Sequence, residues 1–295
     1  MKFVAFESEE VTGIGVMTAD ECAVLDIRSA LPDRDYRDMQ DFIERSSEGD
    51  IEVLRKAIES PERFGPLSLD KVRVLPPIAR PIHDVLCVGV NYRDHLEETK
   101  GEMKDFAEPS APVFFTKRAI RIIGDGEPIE ARLDLDDQLD YEVELAVIIG
   151  KAGVDIPAEK VEEHVFGYSV LDDLSSRRLQ KRHVQWFRGK SLDTYTAMGP
   201  VILHKSALPF PVKVDVRSYV NDELRQSSNT AMFIHDIPTL VSEISAGMTL
   251  EPGDIIATGT PAGVGMGFSP QRFMKRGDTV VCEIPPIGRL VNRVE

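Results

Sequence analysis

The chain of 295 residues is 42% hydrophobic and 29% charged, too apolar for a disordered polymer and long enough for a sizeable core in one or two domains. Its 50 acidic against 35 basic residues give a net charge of −15, a surface that repels a phosphate backbone, so nucleic acid is not expected as a partner. The longest uninterrupted apolar run, Leu145 to Ile149, falls far below the roughly 20 residues a membrane-crossing helix needs, so no membrane partner is expected either.

The opening MKFVAFESEE is neither a signal-peptide core nor an Arg-rich transit peptide. Three cysteines, Cys22, Cys87 and Cys282, lie far apart without C-x-x-C spacing and read as reduced thiols in a cytoplasmic protein. Strand-like KFVAFE and AVLDI precede a charged stretch, residues 35–60, whose Phe42, Ile43, Ile51, Leu54 and Ile58 recur at helical spacing. Pro61, Gly65, Pro66, Pro76, Pro77 and Pro81 then interrupt regular structure, which predicts a small N-terminal α+β domain over 1–75 and a main domain over 76–295.

The main domain carries short β-type runs at 85–90, 112–117, 141–150, 212–220, 254–260 and 279–284. Helical patterns at 154–166 and 233–247 interrupt them without strict β-α-β alternation, which predicts a β-rich α+β fold rather than a doubly wound sheet.

Three segments carry candidate chemistry. In CVGVNYRDHLEE, His95 and Glu98 share a face if the stretch is helical, and a carboxylate beside an imidazole suits a general base. In YEVELAVIIG, alternation puts Glu142 and Glu144 on one face about 6.5 Å apart. Burial of that strand would demand a positive partner, best a hard cation, Mg²⁺ or Mn²⁺; an edge strand would leave both acids in water. Repulsion between the pair predicts that removing Glu142 stabilises the metal-free protein. In VFGYSVLDDLSSRRLQKRH, one of Asp172 and Asp173 can cap the following helix and the other complete a three-carboxylate site. Arg177, Arg178, Lys181, Arg182, Arg188 and Lys190 then crowd into a basic stretch that suits an anionic substrate. The run GTPAGVGMG, 259–267, lacks a Walker Lys-Ser/Thr pair and a following helix pattern, and reads as a tight loop.

Together, VGVNYRDHLEE, PVFFTKR, LDYEVELAVIIG, VFGYSVLDDLSSR, GKSLDTYTAMGP, VNDELRQSSNT, GMTLEPGDIIATGTPAGVG and IGRLVN resemble the fumarylacetoacetate hydrolase family, in the family's order over residues 81–295. The resemblance is closest to its bacterial oxaloacetate decarboxylases and acylpyruvate hydrolases. It implies a mixed β-sandwich roll catalytic domain, a small N-terminal domain, a homodimer and one Mg²⁺ or Mn²⁺. It also implies metal ligands at Glu142, Glu144 and Asp173, with Asp172 a neighbour. A lid pair at His95 and Glu98 follows, with substrate-facing groups at Arg177, Gln180, Lys190 and Thr258. Arg178 stands where the family commonly has Asp. The implied chemistry is carbon–carbon cleavage in a short 2-oxo acid, by oxaloacetate decarboxylation or acylpyruvate hydrolysis through pyruvate enolate. The alternatives are isomerisation of a 2-hydroxy-dienoate and a non-catalytic binding protein of the same fold. Residues 91–108, with few apolar anchors, are expected to close over bound substrate.

Overall fold

The computed structural model describes residues 1–99 and 110–295. The N-terminal stretch forms β1 (Lys2–Glu7), β2 (Thr12–Met17), β3 (Ala23–Asp26), α1 (Ile27–Ala30), α2 (Met39–Arg45), α3 (Glu48–Glu59), β4 (Leu67–Ser68) and β5 (Arg73–Leu75). The helical pattern over 35–60 is thus two helices, because Ser47 leaves the helical backbone and caps α3 through a reciprocal bond with Asp50.

Burial would raise the Asp50 carboxyl, but hydrogen bonds from Ser47, Arg34 and Tyr36 outweigh it and hold it at about 2, below its ordinary 3.8. A depressed carboxylate contributes fully above its unfolded value and loses that contribution as pH falls through the folded one. Asp50→Ala is therefore expected to cost about 1–2 kcal/mol at neutral pH. In urea melts, its gap to the parent protein should close between about pH 4 and pH 2.

The remaining elements before the basic stretch are β6 (Val85–Gly89), α4 (Arg93–Thr99), β7 (Val113–Lys117), β8 (Leu139–Asp140), β9 (Val143–Ile149), α5 (Val161–His164), β10 (Val165–Asp172) and β11 (Ser175–Ser176). After them come α6 (Arg177–Arg182), α7 (Phe187–Lys190), β12 (Ala197–His204), β13 (Asp215–Val220), β14 (Glu223–Asn229), α8 (Ile237–Ser245), β15 (Ile255–Ala257), β16 (Thr279–Ile284) and β17 (Gly288–Arg293). The helix expected over 154–166 is reduced to α5 behind a tight turn at Ala158–Lys160, because Val165 already pairs with Ile149 in the sheet.

Among the described residues eleven strands join in one sheet, ordered β4-β3-β2-β1-β12-β10-β9-β15-β6-β7 with β5 on β1. A second, antiparallel sheet runs β14-β13-β16-β17. The β1–β12 pairing carries the N-terminal strands into the sheet of the main region. Strand β9 lies centrally and is buried on both faces. Its Val143, Leu145 and Val147 pack with Val216, Val280 and Ile284 of the second sheet. Ala146 and Ile148 pack on the opposite side with Phe42, Ile51 and Leu54 of α2 and α3. Glu142 and Glu144 share the parity of Ala146 and Ile148, at the end of the strand beyond those helices.

Candidate active site

Strands β9 and β10 pair with Leu171 opposite Glu144 and Asp172 opposite Val143, and the Asp173 N–H donates to Glu142 O at 2.9 Å. This register brings one carboxylate oxygen from each of Glu142, Glu144 and Asp173 to within 4.8 Å of the others. All three side chains are buried. Asp172, on the other face, accepts the Glu142 N–H at 2.9 Å. Burial outweighs that bond and the attraction of Lys117, and pushes its carboxyl up to about 7.

The three acids are not electrically equivalent. Lys190 Nζ bridges Glu142 Oε2 and Asp173 Oδ2, each at 2.6 Å, and lies over the Phe115 ring. Buried Lys117 donates to the other oxygen of Asp173 and to Tyr195 O. Arg177 Nη2 stands 2.5 Å from Glu142 Oε1, an ion pair without hydrogen-bond alignment. Burial alone would raise Glu142, but Lys190 and Arg177 hold it down at about 2. The same acids outweigh burial at Lys190 and raise its ammonium above the ordinary value. Glu144 accepts the Gly259 N–H at 2.8 Å, and among the described residues no Lys or Arg nitrogen lies within ion-pair distance of it. Burial, then repulsion from Asp173 and Glu142, raises its carboxyl well above the usual range. The stabilisation expected on removing Glu142 therefore belongs to Glu144, since Glu142 already has two cations. An all-carboxylate donor set in which Glu144 has no Lys or Arg partner among the described residues fits a hard divalent cation.

Lys190 is placed on the acids themselves. Lys190→Met is expected to lower the melting temperature of the metal-free protein by removing the shared counterion of two buried carboxylates, and added Mn²⁺ should recover most of the loss. A thermal-shift titration checks this; equal destabilisation with and without Mn²⁺ would count against it.

His95 is buried, and its Nδ1 meets Glu98 Oε2 at 3.1 Å. With the carboxylate accepting at Nδ1–H, the lone pair of the ring sits on Nε2. The other Glu98 oxygen accepts the Gly263 N–H at 2.9 Å, so the pair is also tied to the glycine-rich loop. A Cβ at Gly267 would overlap the Glu98 carboxylate, which explains one glycine of that loop. Helix α4 covers the start of the expected lid; residues 100–108 of that expectation lie outside the described residues.

His95, Glu142, Glu144, Arg177, Gln180 and Lys190 line one small cleft together with Phe115 and Trp186. It encloses about 30 Å³, room for one or two water molecules, so a larger ligand requires α4 or Trp186 to move. Thr258 is not brought to the cleft: its hydroxyl donates to Leu145 O at 2.7 Å. Thr260 lines it instead. Cys87 is buried and its thiol is pushed up by burial, which leaves it protonated. Arg178 faces outward and pairs with Asp137 at 2.5 Å. Sequence reasoning assigned no role to Lys117, although a lysine closing the apolar run PVFFTK, in phase with Phe115, was the available signal.

Residues 84–295 match the fumarylacetoacetate (FAA) hydrolase C-terminal family. Over 227 residues, covering 77% of this chain and 74% of the relative, the sequence is 48% identical to the oxaloacetate tautomerase YisK of Bacillus subtilis. The fold is similar to that of a fumarylacetoacetate hydrolase from psychrophilic Exiguobacterium antarcticum, with TM-score 0.85, 42% identity and coverage of 100% and 99% of the two chains. It is also similar to maleylpyruvate hydrolase from Sphingobium sp. SYK-6 in complex with manganese(II) and pyruvate, with TM-score 0.77, 31% identity and coverage of 100% and 98%. No helix among the described residues is long and apolar enough to cross a membrane. A β-rich α+β fold, a cluster of buried carboxylates and a family match over most of the length lead to one assignment: the chain belongs to the fumarylacetoacetate hydrolase family.

Proposed function

We propose that this protein is a divalent-metal-dependent enzyme that interconverts the enol and keto forms of oxaloacetate or a close 2-oxo diacid. The observation that carries this reading is a cluster of three buried carboxylates, two of which, Glu142 and Glu144, line one small cleft with an imidazole whose Nδ1 is held by Glu98. The 48% identity to an oxaloacetate tautomerase supports the choice of substrate.

In this reading Glu142, Glu144 and Asp173 would hold Mg²⁺ or Mn²⁺, which would supply positive charge to stabilise a developing enolate. Arg177 and Gln180 bind the carboxylates of the anionic substrate, and Lys190 balances the negative charge that develops toward C2. From keto to enol, Nε2 of His95 takes the C3 proton and the charged imidazole delivers it to the C2 oxygen; from enol to keto the same two transfers run in reverse, while Glu98 fixes the ring and stabilises the charged imidazole. Closure of α4 keeps water from competing for that proton. The reading carries with it a homodimer, as the family resemblance implies, and a cytoplasmic placement, supported by the free thiols.

Following the absorbance of enol-oxaloacetate with Mg²⁺-loaded protein tests the proposal; a rate equal to the buffer rate overturns it. A second reading, carbon–carbon cleavage by decarboxylation or acylpyruvate hydrolysis, draws support from the likeness to a maleylpyruvate hydrolase bound to manganese and pyruvate. It shares the enolate and adds release of pyruvate, which a coupled pyruvate assay on oxaloacetate and acetylpyruvate distinguishes.

A further inference from the structure

Helix α6 bears Arg177 and Gln180, yet it is only six residues long, too short to hold its own geometry in water. Its position is set from outside, by the segment 136–140. Asp136, buried, accepts hydrogen bonds from the Ser176 hydroxyl and, at 2.9 Å, from the Leu179 N–H, capping the helix from another part of the chain. The Arg177 N–H donates to Gln138 O at 3.1 Å, and Ser175 pairs with Asp140 across β8 and β11.

Asp140 is fully buried and receives four donors. Its Oδ2 accepts Arg177 Nε–H at 2.9 Å and the Met266 N–H at 3.0 Å. Its Oδ1 accepts the Gly265 N–H at 2.6 Å and the Tyr141 N–H at 3.0 Å. Anchoring at Nε leaves the far edge of the guanidinium for the cleft, where it meets Gln180 Oε1 at 3.1 Å and Glu142. A long arginine side chain loses much rotamer freedom on ordering, so a carboxylate that fixes it beforehand lowers the cost of binding an anion.

We propose that Asp136 and Asp140 are positioning residues that fix α6 and Arg177, so that Arg177 and Gln180 present a preset anion-binding edge to the 2-oxo acid. This rests on the substrate-facing reading of Arg177 given above.

The test is the affinity of Mn²⁺-loaded protein for pyruvate, measured by calorimetry, in Arg177→Gln, Asp140→Asn and the double variant, beside the Mn²⁺ affinity of each. Each single variant is expected to weaken pyruvate about tenfold while Mn²⁺ affinity stays within about threefold. The double variant should be no weaker than Arg177→Gln, because Asp140 acts through Arg177. Unchanged pyruvate binding in Arg177→Gln, or a parent protein that binds no Mn²⁺, overturns the substrate-facing reading and this proposal with it. A loss in Arg177→Gln with none in Asp140→Asn, or with additive losses, overturns the positioning role alone. If Asp140→Asn fails to fold, Asp136 carries the test: Asp136→Ala should weaken pyruvate about fivefold, and Asp136→Asn, which keeps an acceptor for the Leu179 N–H, should restore most of it. Equal losses in those two variants overturn the proposal.

Discussion

Glu144→Gln is expected to reduce metal-dependent turnover by at least about 10³-fold, and at the same time to raise the melting temperature of the metal-free protein. The loss follows from removing one of three charged oxygen donors from a hard-cation site, where a neutral amide is a much poorer ligand. The gain follows from the charge balance. Glu144 is buried beside two other carboxylates, and among the described residues it has a backbone N–H and no Lys or Arg to meet it. Relieving such a group is expected to be worth about 1–3 kcal/mol. Glu142→Gln should lose turnover equally but move stability the other way, because it leaves the buried Lys190 and Arg177 without a shared anion. Breaking a buried pair from one side costs about 3–5 kcal/mol. Thermal melts of the two variants in chelator, with oxaloacetate assays in Mg²⁺, check both halves. Stability shifts of the same sign would contradict the assignment of Glu144 as the unpaired acid.

That asymmetry also marks the limit of what the sequence discloses. The E-x-E pattern on an apolar strand identifies two carboxylates on one face, because the strand period is two and needs no tertiary information. The burial that makes the pair costly is visible as well, in the unbroken run Leu145 to Ile149. Which acid is neutralised is another matter. Arg177 opens the short α6, Lys190 closes the short α7, and Lys117 comes from a strand on the far edge of the sheet. Their distances to the acids depend on the order β10-β9-β15-β6-β7, which local periodicity does not contain. The helical character of residues 35–60 was legible from its apolar spacing, though not its break at Ser47. That β1 would pair with β12, and that α2 and α3 would cover Ala146 and Ile148, was not, since both are contacts between segments far apart in the chain. Thr258 illustrates the same point at one residue. Its place in a motif drew attention to it, whereas β15 turns its hydroxyl into a ladder contact with Leu145 O and Thr260 reaches the cleft.

His95→Ala should divide the reactions open to this site by how much each depends on proton transfer. Enol–keto exchange of oxaloacetate and hydrolysis of an acylpyruvate both need a base, at C3 in the first and at water in the second, so each should fall about 10²- to 10⁴-fold. Decarboxylation of oxaloacetate breaks its bond by electron flow toward the C2 oxygen, so it should fall less than about tenfold, far less than in any metal-ligand variant. The substitution is clean because the two functions of the pair reside on different atoms. Glu98 meets the imidazole with Oε2 and the Gly263 N–H with Oε1, so removing the ring leaves the tie between α4 and the glycine-rich loop in place. Glu98→Ala removes both, and should add a rise in KM to the fall in kcat as the lid loses its latch. Measuring enol decay, acetylpyruvate cleavage and pyruvate release from oxaloacetate on the same two variants separates these effects. Equal loss in all three reactions on His95→Ala would make the imidazole a structural part of the lid rather than its base.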